Sequence, residues 1–337
     1  MTKYMDQYRN KLTTAAQAAN LVESGDWVLY PGFNGKPVAF EKALASRKEE
    51  LHGVVILNSF TIPPLPDTIM SDPSSEHFAL ASSHFSIVDR KLHDVNRAWY
   101  VPGTFCEVPL MVSGGYLACN VSVFHVSAMD EHGFFNFGPQ CAYTMSIAQY
   151  ARKLGKPVIV EVNHNMPRCL GGFDETIHIS QVDYIIEGEN PDLFEVPTLP
   201  STPEDQIIAD YIINQIKDGD CIQLGIGGAP NIIGGLIASS DLKDLGVHTE
   251  MLCDSYMDMY ERGCITNARK AIDRNRMAYT FVMGSKRLYE FIDNNPACVT
   301  YPCTYINDPK IAALNPNLVS INRSEEHTSE LQSHHDL

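Results

Sequence analysis

The chain repeats itself, and the repeat restricts its possible folds more than any other feature. Gly32, Gly35 and Pro37 of GFNGKP lie 193 residues before Gly225, Gly228 and Pro230 of GIGGAP. A Gly-Asp pair and an apolar run precede each set (GDWVLY, GDCIQL), and a helix-like segment precedes each run (AAQAANLVES, IADYIINQIK). A second helical segment follows (VAFEKALAS, NIIGGLIASS), and the same offset lays Gly53 of ELHGVVIL on Gly246 of DLGVHTEM. Both copies read helix, strand, GxxGxP turn, helix, turn, strand. Strands joined through helices pair in parallel, so the expected fold is α/β, built from two similar, duplicated domains with mainly parallel sheets.

The 337 residues suit two such units. Between them EGENPDLFEVPTLPSTPE, residues 187–204, carries four prolines and four glutamates without apolar periodicity, the composition of a linker. The expected division is a first domain over 1–190, a linker over 191–204 and a second domain over 205–322. Further strands are expected in NVSVFHVSAMD (120–130), KPVIVEVN (156–163) and QVDYIIEG (181–188).

Charge and cysteine usage narrow the function. A net charge of −16 disfavours nucleic acid and anionic membrane as partners, so a small anionic ligand would be held by local dipoles or a few local cations such as Lys36. No apolar run reaches the roughly 18 residues of a membrane helix, and MTKYMDQYRNKLTTAAQAA lacks the apolar segment of a signal peptide, so a cytoplasmic location is expected. The nine cysteines include no CxxC pair and read as reduced core thiols. His164, His178 and His248 stand apart, with no HxH or HxxxH spacing, and no metal is expected.

Two motifs carry chemistry. LGIGGAPNIIGGLIA follows a strand and opens a helix; its glycines allow backbone amides close to a ligand, and a helix start favours negative charge. It is a poor dinucleotide fingerprint, since GxGGxP is not GxGxxG. The second motif is LGVHTEM (245–251), where Glu250 stands in what reads as a buried strand. The 193-residue offset places Glu250 on Leu57, so one copy holds an apolar residue where the other holds a carboxylate. Burying that charge costs free energy unless something nearby uses it. In a parallel sheet the glycine turn and Glu250 fall at the same edge, where open α/β folds bind ligands. A carboxylate beside a cradle of amides suits a nucleophile acting on an activated acyl group.

The segments MDEHGFFNFGP, VIVEVNHNMPRCLGGFDETIHIS, IQLGIGGAPN and SDLKDLGVHTEM resemble signatures of the acetyl-CoA hydrolase/transferase family, especially its butyryl-CoA:acetate and 4-hydroxybutyrate CoA-transferases. The resemblance runs from about residue 5 to residue 322. It implies a CoA-transferase-like fold with the active site between two domains. It implies Glu250 as the nucleophilic glutamate and residues Gly225, Ile226, Gly227, Gly228 and Ala229 as a CoA-binding loop. It further implies short-chain acyl-CoA and acetate, or another short carboxylate, as substrates, with CoA thioester as substrate and no separate cofactor. An acyl-CoA hydrolase and a non-catalytic CoA- or nucleotide-binding module are the alternative readings. The acyl chain and any homo-oligomer are left open.

The chain departs from the family after Asn322. RSEEHTSELQSHHDL (323–337) is polar and aperiodic and resembles a translated sequencing adaptor, so a non-native, disordered tail is expected there. The family continues through another strand and a Gly-Gly loop that supplies an oxyanion contact. The expectation is a truncated second domain and low or no activity for the chain as given.

Overall fold

The computed structural model describes residues 3–197, 202–225 and 228–322, without the side chains of residues 228 and 229. The expected tail, and Ile226 and Gly227 of the expected loop, lie outside the described residues. The first half contains β1 (Leu12–Thr13), β2 (Trp27–Leu29), β3 (Val54–Leu57), β4 (Phe78–Ser82), β5 (Ala98–Tyr100), β6 (Val121–Val126), β7 (Phe134–Asn136), β8 (Val158–Val162), β9 (Thr176–His178) and β10 (Tyr184–Glu187). Eight of these form one wholly parallel sheet in the order β1-β10-β8-β6-β2-β3-β4-β5, while β7 and β9 pair antiparallel beside it. Both faces of the sheet are covered, as a parallel sheet requires. Val28, Ile56 and Val123 point into one core and Leu29, Leu57 and Phe124 into the other, the alternation a pleated strand imposes.

The second half contains β11 (Cys221–Leu224), β12 (Gly246–Val247), β13 (Met251–Leu252), β14 (Met277–Tyr279), β15 (Phe281–Val282), β16 (Cys298–Thr300) and β17 (Leu318–Ile321). Parallel pairing gives β12-β11-β17 and β14-β16, and a parallel bridge from His248 to Ala278 joins the two groups. The combined order, β16-β14-β12-β11-β17, matches β5-β4-β3-β2-β6 of the first sheet. The α/β architecture is thus a large parallel sheet with smaller parallel sheets beside it.

The same backbone details recur in both halves. Gly25 and Gly219 enter β2 and β11 at φ +83° and +84°, a conformation that favours glycine. The carbonyl of Asp26 accepts from Val55 and that of Asp220 from Gly246, each at 2.9 Å. Asn58 donates to Ala81 at 3.0 Å, and Thr249 to Ala278 at 2.9 Å. These bonds correct the sequence alignment. The connection from the Gly-Asp turn to the next strand is three residues shorter in the second half, so a constant offset slips. The ladder matches Leu57 with His248, and Glu250 with Ser59. Glu250 therefore lies past the end of β12, in a bend, rather than inside a buried strand.

The halves meet across their strand ends. Phe33, from the first glycine turn, is 2% exposed and stacks on Phe281 at 4.1 Å within the core of the second half. Burying such a ring contributes about 1.5–3 kcal/mol. Backbone bonds stitch the same seam: Ala142 donates to Thr280 (3.1 Å), Val282 to Pro139 (2.9 Å) and Cys303 to Ala142 (2.8 Å). Among the described residues no helix is long and apolar enough to cross a membrane.

Candidate active site

Glu250 leaves β12 where the chain turns toward β13. Its carbonyl accepts from the amides of Thr280 (3.1 Å) and Phe281 (3.2 Å), which anchors its backbone to the seam. Its Oε2 accepts a hydrogen bond from the Asn307 side-chain amide. Burial pushes the Glu250 carboxyl above the ordinary glutamate range, and the bond from Asn307 pulls it partly back. Asn307 caps the C-terminal end of the one-turn helix Cys303–Ile306, with its own N–H on the Cys303 carbonyl at 2.9 Å.

Glu250 opens into a cleft of about 530 Å³ whose lining includes Gly225, His248, Asn307, Asn322 and, from the first half, His84. The cleft lies at the C-terminal ends of β11 and β12, the edge at which open α/β sheets bind ligands. Gly225 and Glu250 thus share one cleft, as their spacing predicts. Gly225 donates its N–H to Ile321 on β17 at 2.8 Å, and helix Gly228–Ser239 begins three residues later. Asn307 and His84 were not legible in the sequence. Asp308 followed by Pro309 does signal the next helix start, since the Asp308 side chain accepts from Lys310 N–H at 2.8 Å, but nothing local ties Asn307 to Glu250.

The matching turn in the first half is filled by the protein. Glu161, fully buried on β8, accepts the amides of Val38 (2.8 Å), Ala39 (2.9 Å) and Phe40 (2.8 Å) at the start of helix Val38–Ala45. Lys36 is buried and donates to the Pro64 carbonyl. Ser59, the ladder counterpart of Glu250, is buried against Ser83 at 2.5 Å between their hydroxyl oxygens. The first turn is therefore structural, and Lys36 does not stand free for an anion.

A second cleft of about 530 Å³ lies where residues 192–195 meet helix Lys286–Ile292, and its lining includes Arg168, Glu195 and Lys286. Arg168 is occupied there by Asp130 (2.9 Å) and by Ser127 and Ala128, and the motif glutamate is in the other cleft. Among the described residues no group of three or more His, Cys, Asp or Glu is arranged to hold a metal ion. Eight of the nine cysteines are buried, and all nine are free.

The raised Glu250 pKa has a consequence for stability. A carboxyl that folding makes less acidic favours the native state while protonated, and that contribution is lost as pH rises through the folded-state pKa. Glu250→Gln, which is always neutral, is therefore expected to leave the chain at least as stable as the parent at neutral pH. The difference should shrink as pH falls below the raised pKa. Urea unfolding of both proteins across pH 4–8 measures it. A glutamine variant less stable at neutral pH would show that the ionised carboxylate is favoured by its surroundings.

The model of the acetyl-CoA hydrolase/transferase N-terminal domain matches residues 1–197, and that of the C-terminal domain matches residues 284–328. The chain is 43% identical over 322 residues to butyryl-CoA:acetate CoA-transferase of Anaerostipes caccae, covering 95% of this chain and 71% of that protein. It is 34% identical to 4-hydroxybutyrate coenzyme A transferase of Clostridium kluyveri, covering 94% and 71%. Among solved structures, RipA from Yersinia pestis superposes with a TM-score of 0.86 at 33% identity, covering 94% of this chain and 74% of that one.

Proposed function

Because the chain belongs to the acetyl-CoA hydrolase/transferase family, we propose that it exchanges CoA between a short-chain acyl-CoA, butyryl- or 4-hydroxybutyryl-CoA, and acetate. The observation that carries this reading is Glu250: a half-buried carboxylate, hydrogen-bonded through one oxygen, in a cleft shared with the glycine turn. The relative named for butyryl-CoA:acetate transfer supports the substrate pair. The recurring strand order supports two duplicated domains, 1–190 and 205–322, joined by 191–204; the proposed place of action is the cytoplasm.

In this reaction the Glu250 carboxylate attacks the thioester carbonyl carbon. The C–S bond breaks, giving an acyl-glutamyl anhydride and CoA thiolate. The thiolate then attacks the glutamyl carbonyl carbon and expels the first carboxylate, leaving a glutamyl-CoA thioester. Acetate runs the same steps in reverse: it displaces CoA thiolate to form an acetyl-glutamyl anhydride, and the thiolate takes the acetyl group and frees Glu250. No net proton moves, and the thioester bond energy is conserved. Gly225, Ile226, Gly227, Gly228 and Ala229 are the proposed CoA-binding loop, whose amides would offset the burial of Glu250. Binding of the remote CoA body can help drive the strained covalent step.

The test gives butyryl-CoA, with and without labelled acetate, to the chain whose segment after Asn322 is replaced by that of a relative; the chain as given is expected to show low or no turnover. Transfer predicts labelled acetyl-CoA that appears only with acetate. Hydrolysis predicts free CoA whether or not acetate is present, and a binding module predicts neither.

A further inference from the structure

The strand that leads to Glu250 carries a second polar residue, and the first half has an apolar one in its place. His248 occupies the ladder position of Leu57, a core leucine. It is 2% exposed, and its Nε2 lies 2.9 Å from the carbonyl oxygen of Ile306. A carbonyl only accepts, so Nε2 carries the proton and Nδ1 is a bare acceptor. Nδ1 is buried and finds no hydrogen-bond partner among the described residues. An unpartnered buried nitrogen costs free energy that leucine avoids, so the substitution calls for a compensating use. Of the charged groups around the ring, Lys270 spends its ammonium on the carbonyls of Val247 (2.7 Å) and Arg276 (2.9 Å), and Asp273 accepts from Tyr301 and Tyr305. Burial lowers the ring's pKa, which keeps the imidazole neutral.

The acceptor gives His248 its use. Ile306 is the last residue of helix Cys303–Ile306, and the next residue is Asn307, the donor to Glu250. A helix of four residues has almost no stability of its own. Its start is held by Cys303 N–H on the Ala142 carbonyl (2.8 Å), and its end by the ring of His248. The relay runs from imidazole N–H to the 306 carbonyl, and from the adjoining residue's amide to the carboxylate. We propose that His248 is a positioning residue: by holding the Ile306 carbonyl it aims the Asn307 amide at Glu250 Oε2. The catalytic meaning of this grip rests on Glu250 being the nucleophile; the coupling between the three residues does not.

The coupling is read from the Glu250 carboxyl itself, in the whole chain labelled with ¹³C-glutamate, its signal assigned by its loss in Glu250→Gln. Asn307→Ala should move the Glu250 titration to higher pH, because the donor that opposes burial is gone. His248→Leu installs the first half's residue; it should move the titration in the same direction and over most of the same distance. His248→Gln, which keeps a side-chain N–H, should stay near the parent. The double variant His248→Leu/Asn307→Ala should move no further than Asn307→Ala alone. Should leucine fail to fold, His248→Met, also without a donor, takes its place. A Glu250 titration unmoved by His248→Leu, or shifts that simply add in the double variant, would overturn the proposal. Trapping a CoA adduct on the chain whose segment after Asn322 is replaced by that of a relative tests the nucleophile separately: coupling without an adduct removes the transferase reading and keeps the relay, whereas an adduct without coupling does the reverse.

Discussion

Glu250→Ala is expected to abolish the covalent adduct that acyl-CoA forms with this chain when the segment after Asn322 is replaced by the C-terminal segment of a relative, of which the chain spans 71%. That chain is incubated with butyryl-CoA, borohydride reduces any glutamyl thioester to the alcohol, and peptide mass analysis locates the change. The parent should be modified at Glu250, the ionisable carboxylate that lines the cleft beside Gly225. Glu250→Gln keeps the shape of the side chain but replaces the anionic oxygen with an amide, a poor nucleophile. Both variants should lose adduct formation by more than roughly 10⁴-fold, the scale seen when a covalent nucleophile is removed. Because Glu250 must be ionised to attack and its pKa is raised, the parent's rate should fall as pH drops through that pKa and recover above it. Adduct formation at the parent's rate in Glu250→Gln would place the nucleophile elsewhere.

Glu161→Ala should produce a large loss of stability. Its carboxylate holds three amides at the start of helix Val38–Ala45 from a fully buried position on β8. Deleting it strands those donors away from water, at about 1–3 kcal/mol for each buried group left without a partner. A total loss of at least about 3 kcal/mol is expected in urea unfolding. Glu161→Gln retains an acceptor oxygen and should recover part of it. The matching region of the second half is only the proposed CoA-binding loop, so Glu161→Ala should act on stability before it acts on CoA affinity. A loss under about 1 kcal/mol would show that water replaces the carboxylate at no great cost.

These two carboxylates mark how far the sequence could be read. The glycine turns, the helices after them and the parallel strands were all visible as a repeated pattern, because strand and helix leave local periodicities. That Gly225 and Glu250 share an edge also followed, since a strand, a helix and a second strand return the chain to the same side of a sheet. The alignment of Glu250 with Leu57 did not survive. It assumed equal spacing, but the Gly-Asp turn and the strand that pairs with it are bonded 29 residues apart in the first half and 26 in the second. The polar-for-apolar exchange on the ladder belongs to His248, while Glu250 stands beyond the strand, opposite Ser59 of the first half. The role of Glu161 was equally hidden: VIVEV reads as one more buried strand, and its glutamate finds the amides of residues 38–40 only when β8 and helix Val38–Ala45 are brought together.

The sequence by itself determined the parallel α/β pattern, the two glycine turns and the presence of a carboxylate near the end of a strand. Each is set by residues a few positions apart, through backbone conformation and the period of the side chains. Only the tertiary structure decided that Asn307 meets Glu250, that His248 holds the carbonyl beside it, and that the first turn is filled by Glu161 while Gly225 faces a cleft. Those contacts join segments many tens of residues apart. They depend on ladder register and loop length, and a shift of two residues along a strand end is enough to exchange a cleft-lining glutamate for a buried serine.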